Sequence, residues 1–75
     1  MTINFSRHAR RRMKLFKIPP DGVEAVINES DQATGHHEVV QHFDDFTLPI
    51  KIVYEIEGET ITVVTAYPLK RGTSP

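Results

Sequence analysis

A histidine and an arginine four residues apart are the side chains of this sequence best suited to chemistry. His8 and Arg12 lie in a segment, residues 7–16, that is rich in helix formers, so a helix would make them neighbours. An imidazole can exchange a proton near neutral pH, and a guanidinium can bind a phosphate through two parallel hydrogen bonds. The pair therefore points to chemistry on a phosphate group.

The position of Arg12 on that helix also supports a purely structural interpretation. On a helical wheel of about 100° per residue, His8 and Arg12 fall on the apolar half, and Arg12 lies near its middle. A buried guanidinium without partners is costly, so Arg12 would then reach an acceptor such as Glu24, Asp44 or a strand-end carbonyl. The pair is either a functional site or a polar contact that holds the fold.

Three polar-tipped side chains in the predicted sheet are candidates to complete a catalytic site. Tyr54, Thr65 and Tyr67 belong to apolar rows that we expect to face the helices. A tyrosine can pack its ring in a core and still present a hydroxyl, which could supply a proton or let the ring stack on a base. The alternative is that all three are ordinary core or strand residues.

Positive charge is concentrated at the two ends of the chain. The net charge is −1, but all ten acids lie in residues 21–59 together with a single base, Lys51. Basic side chains on a helix face are usually only solvated, but they can also neutralise nucleic-acid phosphates. The candidates for nucleic-acid contact are Arg7, Arg10, Arg11, Lys14, Lys70 and Arg71.

No metal or cofactor is expected. There is no cysteine, and His36 and His42 on a strand would lie about 20 Å apart, with His37 pointing to the other side. The first residues have no secretory apolar run, and no stretch approaches the about 20 apolar residues of a membrane span. We expect a cytoplasmic protein that has no contact with a membrane.

Two helices and three strands are predicted to position these residues. Ser6 is a good N-cap for the first helix, Pro19 and Pro20 should end it, and a second helix should cover roughly residues 20–29. Strands are predicted over residues 37–43, 49–57 and 60–67. Helices that precede a set of strands predict an α+β fold, with two helices packed on a three-stranded antiparallel sheet.

The length of 75 residues predicts a single domain, residues 1–75. We expect residues 1–5 and 70–75 to be flexible ends. A chain this short buries only about 60% of the surface that its unfolded form exposes, so stability should be modest unless the protein forms a homodimer.

Motifs in the first helix and in the last strands are similar to those of a known family. They are Ser6-x-His8-Ala9-x-x-Arg12-Met13, Ile18, Lys51-Ile52-Val53-Tyr54 and Ile61-Thr62-Val63-Val64-Thr65-Ala66-Tyr67-Pro68. From Phe5 to Arg71 the chain resembles small bacterial domains of unknown function of the DUF4258 type, which look like distant relatives of the RelE and BrnT toxins. The resemblance implies a RelE-like fold, RNA cleavage by a toxin of a type II toxin–antitoxin system, and an antitoxin partner.

Three hypotheses follow. In the first, the protein is a metal-independent endoribonuclease in which His8 is the base or acid and Arg12 binds the phosphate. In the second, it is a non-catalytic domain for homodimerisation or for binding another protein. In the third, it is a small regulator that binds nucleic acid without cutting it. The near-neutral charge and the acidic Glu55 and Glu57 depart from the strongly basic character of such toxins.

Overall fold

The structure is a computed structural model that describes residues 2–69. Its elements in chain order are β1 (Thr2–Phe5), α1 (Arg7–Phe16), α2 (Pro20–Asn28), β2 (Gly35–Gln41), β3 (Ile50–Glu57) and β4 (Thr60–Pro68). Both helices and the three strands that follow them lie close to their predicted positions, which confirms the α+β class. The predictions for residues 70–75 fall outside the described residues.

The sheet has four strands in the order β1-β4-β3-β2, and it is mixed. The β2–β3 and β3–β4 pairs are antiparallel, as expected, but β1 pairs with β4 in parallel. The prediction of a purely antiparallel, three-stranded sheet is therefore wrong. Residues 2–5, expected as part of a flexible end, form an edge strand whose partner lies at the other end of the chain.

One extra residue in β4 changes which side chains face the helices. Tyr54 is paired with Val63, whereas Val53 is paired with Thr65, so Val64 has no partner on β3. This arrangement is a β-bulge, which breaks the strict alternation of side chains along a strand. Residues of β4 beyond Val64 therefore point to the side opposite to the one that uninterrupted alternation predicts.

The bulge overturns the predicted facing of Thr65 and Tyr67. Beyond it, Ala66 lies opposite Ile52, and both are fully buried in the core. Thr65 and Tyr67 flank Ala66 along the strand, so they point to the other face of the sheet. We call this the open face, because both described helices pack against the opposite side.

The core is one layer between the helices and the sheet. It consists of Ala9, Met13, Ile18, Val23, Ile27, Ile50, Ile52, Tyr54, Ile56, Ile61, Val63 and Ala66. Burial of apolar surface contributes about 25 cal/mol per Å², so this layer supplies most of the stabilisation of the domain.

Ser6 joins the start of α1 to the sheet. Its Oγ accepts a hydrogen bond from the Ala9 amide (3.0 Å), as an N-cap does, and donates one to the Val64 carbonyl (2.8 Å). Its backbone amide donates to the Val63 carbonyl at 3.0 Å. The predicted cap is confirmed, and α1 is therefore fixed at the bulge of β4.

The end of α1 is set by a left-handed residue. Lys17 has a φ of 57°, and the amide of Ile18 then donates to the Met13 carbonyl at 2.8 Å, which closes the last turn. Two prolines follow, and Pro20 takes the first position of α2, where its missing N–H costs nothing.

Candidate functional site

His8 and Arg12 are both exposed on one flank of α1. Each precedes one of the two buried residues of the helix, Ala9 and Met13, by a single position, so the pair lies beside the buried stripe and not within it. The expectation that Arg12 lies in the middle of the apolar face is wrong. The helical wheel placed Phe5 and Leu15 on the apolar half beside Arg12. In the structure Phe5 belongs to β1, and Leu15 of α1 is 68% exposed.

Arg12 is not held by a structural ion pair. Glu24 and Asp44 were its expected partners, but Arg12 has no ion pair with any residue in the range 2–69. The structural interpretation of the pair required a buried guanidinium with protein acceptors. The exposure of Arg12 removes that requirement and leaves the guanidinium accessible to a ligand.

The whole of α1 has the electrostatic character of an anion-binding surface. Its ten residues contain five cations and no acid. Arg7, Arg10, Arg11 and Lys14, predicted as nucleic-acid contacts, are all exposed. Lys70 and Arg71 were predicted to extend this surface but lie outside the described residues.

A cavity of about 400 Å³ opens along the other flank of α1. Arg10 and Lys14 follow the buried Ala9 and Met13 by one position, which places them on the side opposite to His8 and Arg12. The cavity is lined by the apolar Phe5, Met13, Ile18 and Pro20 and by the basic Arg10, Lys14 and Lys17. Lys17 was not among the predicted nucleic-acid contacts, although it is the last base of residues 7–17, a basic segment without an acid.

Tyr54 is a core residue whose hydroxyl is already used. The side chain is 1% exposed, and its hydroxyl donates to the Asp31 carbonyl at 2.8 Å. Its ring stacks on His37, with 5.1 Å between the ring centres. Burial raises the pKa of Tyr54 above its ordinary value, because the phenolate is poorly solvated there. The hydroxyl contact holds the segment after α2 to the sheet.

Thr65 and Tyr67 lie on the open face, away from the helices. Thr65 is opposite Val53, and its buried hydroxyl oxygen has no hydrogen-bond partner among residues 2–69. Tyr67 is opposite Lys51. The five predicted catalytic residues therefore do not lie close together. His8 and Arg12 are on the surface of α1, Tyr54 is in the core, and Thr65 and Tyr67 are on the open face of the sheet.

The open face carries a charged network that the sequence analysis missed. Lys51 Nζ lies 2.8 Å from Glu38 Oε1, and the two ring nitrogens of His36 lie 3.1 Å from Glu38 and 3.3 Å from Glu55. Hydrogen bonds to Glu38 and then to Glu55 raise the pKa of His36, and the bond from Lys51 lowers the pKa of Glu38. These residues become neighbours only through strand pairing, so no local sequence pattern reveals them.

No metal centre is formed by the described residues. Within residues 2–69, no group of three or more histidine, aspartate or glutamate side chains is arranged to hold an ion. His37 is occupied by its stacking on Tyr54, and a ring nitrogen of His42 lies 3.1 Å from the Phe46 carbonyl.

Residues 2–69 thus form a small α+β domain with two helices on one face of a mixed four-stranded sheet. The chain belongs to the family described as Domain of unknown function (DUF4258), whose family model matches residues 5–68. The match extends from the last residue of β1 to the last residue of β4, which confirms the family expected from the motifs. Searches of curated proteins and of solved structures found no match. None of the helices described in residues 2–69 is long and apolar enough to cross a membrane.

Proposed function

We propose that this protein binds RNA through the exposed surface of α1 and cleaves it with His8 and Arg12, as a toxin-like ribonuclease. The observation that carries the proposal is the exposure of His8 beside Arg12, which has no ion pair within residues 2–69, on a helix with five cations and no acid. Cations without nearby carboxylates are available to phosphates, and their neutralisation supplies much of the affinity for nucleic acid. A phosphate-binding group, Arg12, and a proton acceptor, His8, are together the minimum that RNA cleavage requires.

The reaction is an internal transfer of the phosphodiester. The 2′-hydroxyl of one nucleotide attacks the adjacent phosphorus, and the imidazole of His8 takes its proton. The bond from phosphorus to the 5′-oxygen breaks, and that oxygen takes a proton from water; the hydroxide left behind then removes the proton from His8. The products are a 2′,3′-cyclic phosphate and a free 5′-hydroxyl. The guanidinium of Arg12 stabilises the charge that develops on the phosphate oxygens.

This chemistry needs no metal-bound water, because the nucleophile belongs to the RNA itself. No step of this reaction involves Tyr54, Thr65 or Tyr67, because they lie away from the surface of α1. A protein partner such as an antitoxin would inhibit such an enzyme by covering the same exposed surface.

Cleavage of a labelled single-stranded RNA in the presence of EDTA tests the proposal. We expect His8→Ala and Arg12→Ala each to lower the rate by about 100-fold or more, in line with the contribution of one acid–base or charge-stabilising group. Arg11→Ala is the matched control, because it removes the same charge from the neighbouring exposed position. It should cost only about twofold to threefold through weaker phosphate attraction.

Two outcomes would contradict the assignment. Full cleavage by both His8→Ala and Arg12→Ala would show that the pair is not the catalytic site. Binding of RNA without any cleavage by the wild type would instead support the regulator hypothesis. Growth arrest on induced expression of the wild type, but not of the folded double variant, would connect cleavage to toxicity.

A second function, association without catalysis, is favoured by a different surface. The strand order leaves β2 at an edge, with no strand on its outer side among the described residues. Its Val40 is 51% exposed. Exposed edge strands readily pair with another chain, so two copies could join their β2 strands in a homodimer.

Sedimentation of the wild type over a range of concentrations tests this second function. Val40→Lys should dissociate such a dimer, because it places a charge at the paired edge. Leu15→Lys, at the comparably exposed leucine of α1, should leave it intact. A wild type that stays monomeric at every concentration would exclude this function.

A further inference from the structure

We infer that the cavity beside α1 binds one nucleotide of the RNA, with the base on its apolar wall and the phosphate at its basic rim. This inference rests on the proposed function, in which RNA is the substrate. It goes further by assigning a second subsite, distinct from His8 and Arg12. This subsite would determine where along an RNA the cut is made.

The apolar wall suits an aromatic base. Met13 and Ile18 are almost completely buried beneath the cavity, whereas Phe5 is partly exposed to it. A volume of about 400 Å³ lies within the range of small-molecule sites. Phe5 also supplies an aromatic ring, and bases stack on such rings whatever their sequence.

The charged side chains that line the cavity are all hydrogen-bond donors. They are Arg10, Lys14 and Lys17, and none of the described lining side chains is a strong acceptor. A peptide inserted there would leave its amide donors without side-chain partners. A nucleotide instead brings phosphate oxygens and base-edge acceptors. Guanine fits best, because its O6 and N7 both accept and commonly pair with arginine or lysine.

The cavity and the His8/Arg12 pair lie on opposite flanks of one helix. The width of an α-helix, about 10–12 Å with its side chains, separates them. An RNA strand that reaches both must cross the outward surface of α1, where Arg7 and Arg11 are exposed. The nucleotide in the cavity is therefore a few positions along the strand from the one that is cut. A guanine held there would place the cut at a fixed distance from that base.

A matched pair of variants distinguishes binding in the cavity from the general attraction between positive charges and RNA. Arg10→Gln and Arg11→Gln remove the same charge from adjacent exposed positions of α1, but only Arg10 lines the cavity. By fluorescence anisotropy with a labelled guanine-containing single-stranded RNA, we expect Arg10→Gln to weaken binding about tenfold. We expect Arg11→Gln to weaken it about twofold to threefold. Circular dichroism checks that both variants are folded.

A direct measurement uses guanosine 5′-monophosphate, with cytidine 5′-monophosphate for comparison. The guanosine nucleotide should shift the methyl NMR signals of Met13 and Ile18 at lower concentration than the cytidine nucleotide does. Arg10→Gln should reduce these shifts. Equal losses of RNA affinity in the two variants, with no methyl shift by either nucleotide, would overturn the inference. Shifts caused by an acidic peptide but by neither nucleotide would overturn it in favour of a protein ligand.

These results separate the cavity from the cleavage proposal. If guanosine 5′-monophosphate shifts the Met13 and Ile18 signals but the wild type cuts no RNA, the subsite stands and cleavage fails. If the wild type cuts RNA in a way that depends on His8 while Arg10→Gln and Arg11→Gln behave alike, cleavage stands and the subsite fails.

Discussion

Replacement of Ser6 by alanine is expected to lower the free energy of unfolding by about 2 kcal/mol. The hydroxyl makes two hydrogen bonds: it accepts from the Ala9 amide and donates to the Val64 carbonyl. Loss of a serine N-cap costs typically about 1 kcal/mol. Loss of the second bond adds about 1 kcal/mol, because alanine leaves the partly buried carbonyl without its donor. For a domain of this size, the sum corresponds to a decrease in Tm of about 10 °C.

Urea denaturation followed by circular dichroism measures this loss, and two further variants separate its parts. Ser6→Thr keeps both bonds and should remain within about 0.5 kcal/mol of the wild type. Ser6→Asp keeps the acceptor for the cap but, when ionised, has no hydrogen to donate to Val64, so its stability should fall between those of Ser6→Ala and the wild type. A cost below about 0.5 kcal/mol for Ser6→Ala would refute the reasoning. Wild-type stability of Ser6→Asp would show that the bond to β4 contributes nothing.

Three more predictions concern the core, the helix contact and the open face. Tyr54→Phe should lower the free energy of unfolding by about 1 kcal/mol, measured by thermal unfolding. Because burial raises the pKa of Tyr54, ionisation of this tyrosine should destabilise the wild type above about pH 10, and the variant should not show this destabilisation. Gly22→Ala should destabilise by about 1 kcal/mol despite the better helix propensity of alanine, since its Cβ would lie 2.6 Å from Phe43 Cε2, and Phe43→Leu should relieve the cost in a double-mutant cycle. The pKa of His36 is raised mainly by its hydrogen bond to Glu38, and in Glu38→Gln it should fall toward about 6.5 when it is followed by NMR. The stabilisation from this bond is present below that pH and is lost as the pH rises through the raised pKa. An unchanged titration of His36 in the variant would show that the bond is absent.

Local signals were sufficient to predict the helices and the long strands. The bounds of α1 follow from a capping serine at one end and from Pro19 and Pro20 beyond the other, and both lie where expected. The hairpin between β3 and β4 likewise follows from two alternating runs around Gly58, which has a φ of 60°. Each of these features depends on residues that are close together in the chain.

Non-local pairing and single-residue irregularities could not be predicted in the same way. The strand β1 has only four residues and is ordered by pairing with β4, so nothing within it distinguishes it from a loose end. The bulge at Val64 carries no glycine or proline to reveal it, yet it moves Thr65 and Tyr67 to the other face. The positions of His8 and Arg12 as neighbours on a helix and of Tyr54 on the helix-facing side of the sheet were therefore predicted correctly, but the facing of Thr65 and Tyr67 was not.

The bond between Ser6 and Val64 joins residues 58 positions apart. During synthesis, α1 leaves the ribosome long before the strand on which it rests. A ten-residue helix is marginal in isolation, so α1 gains its stability only when β4 has been made. Contacts of such long sequence separation also slow folding. The His8/Arg12 surface is therefore translated before the strand that orders it, and it becomes ordered only after β4 has been made.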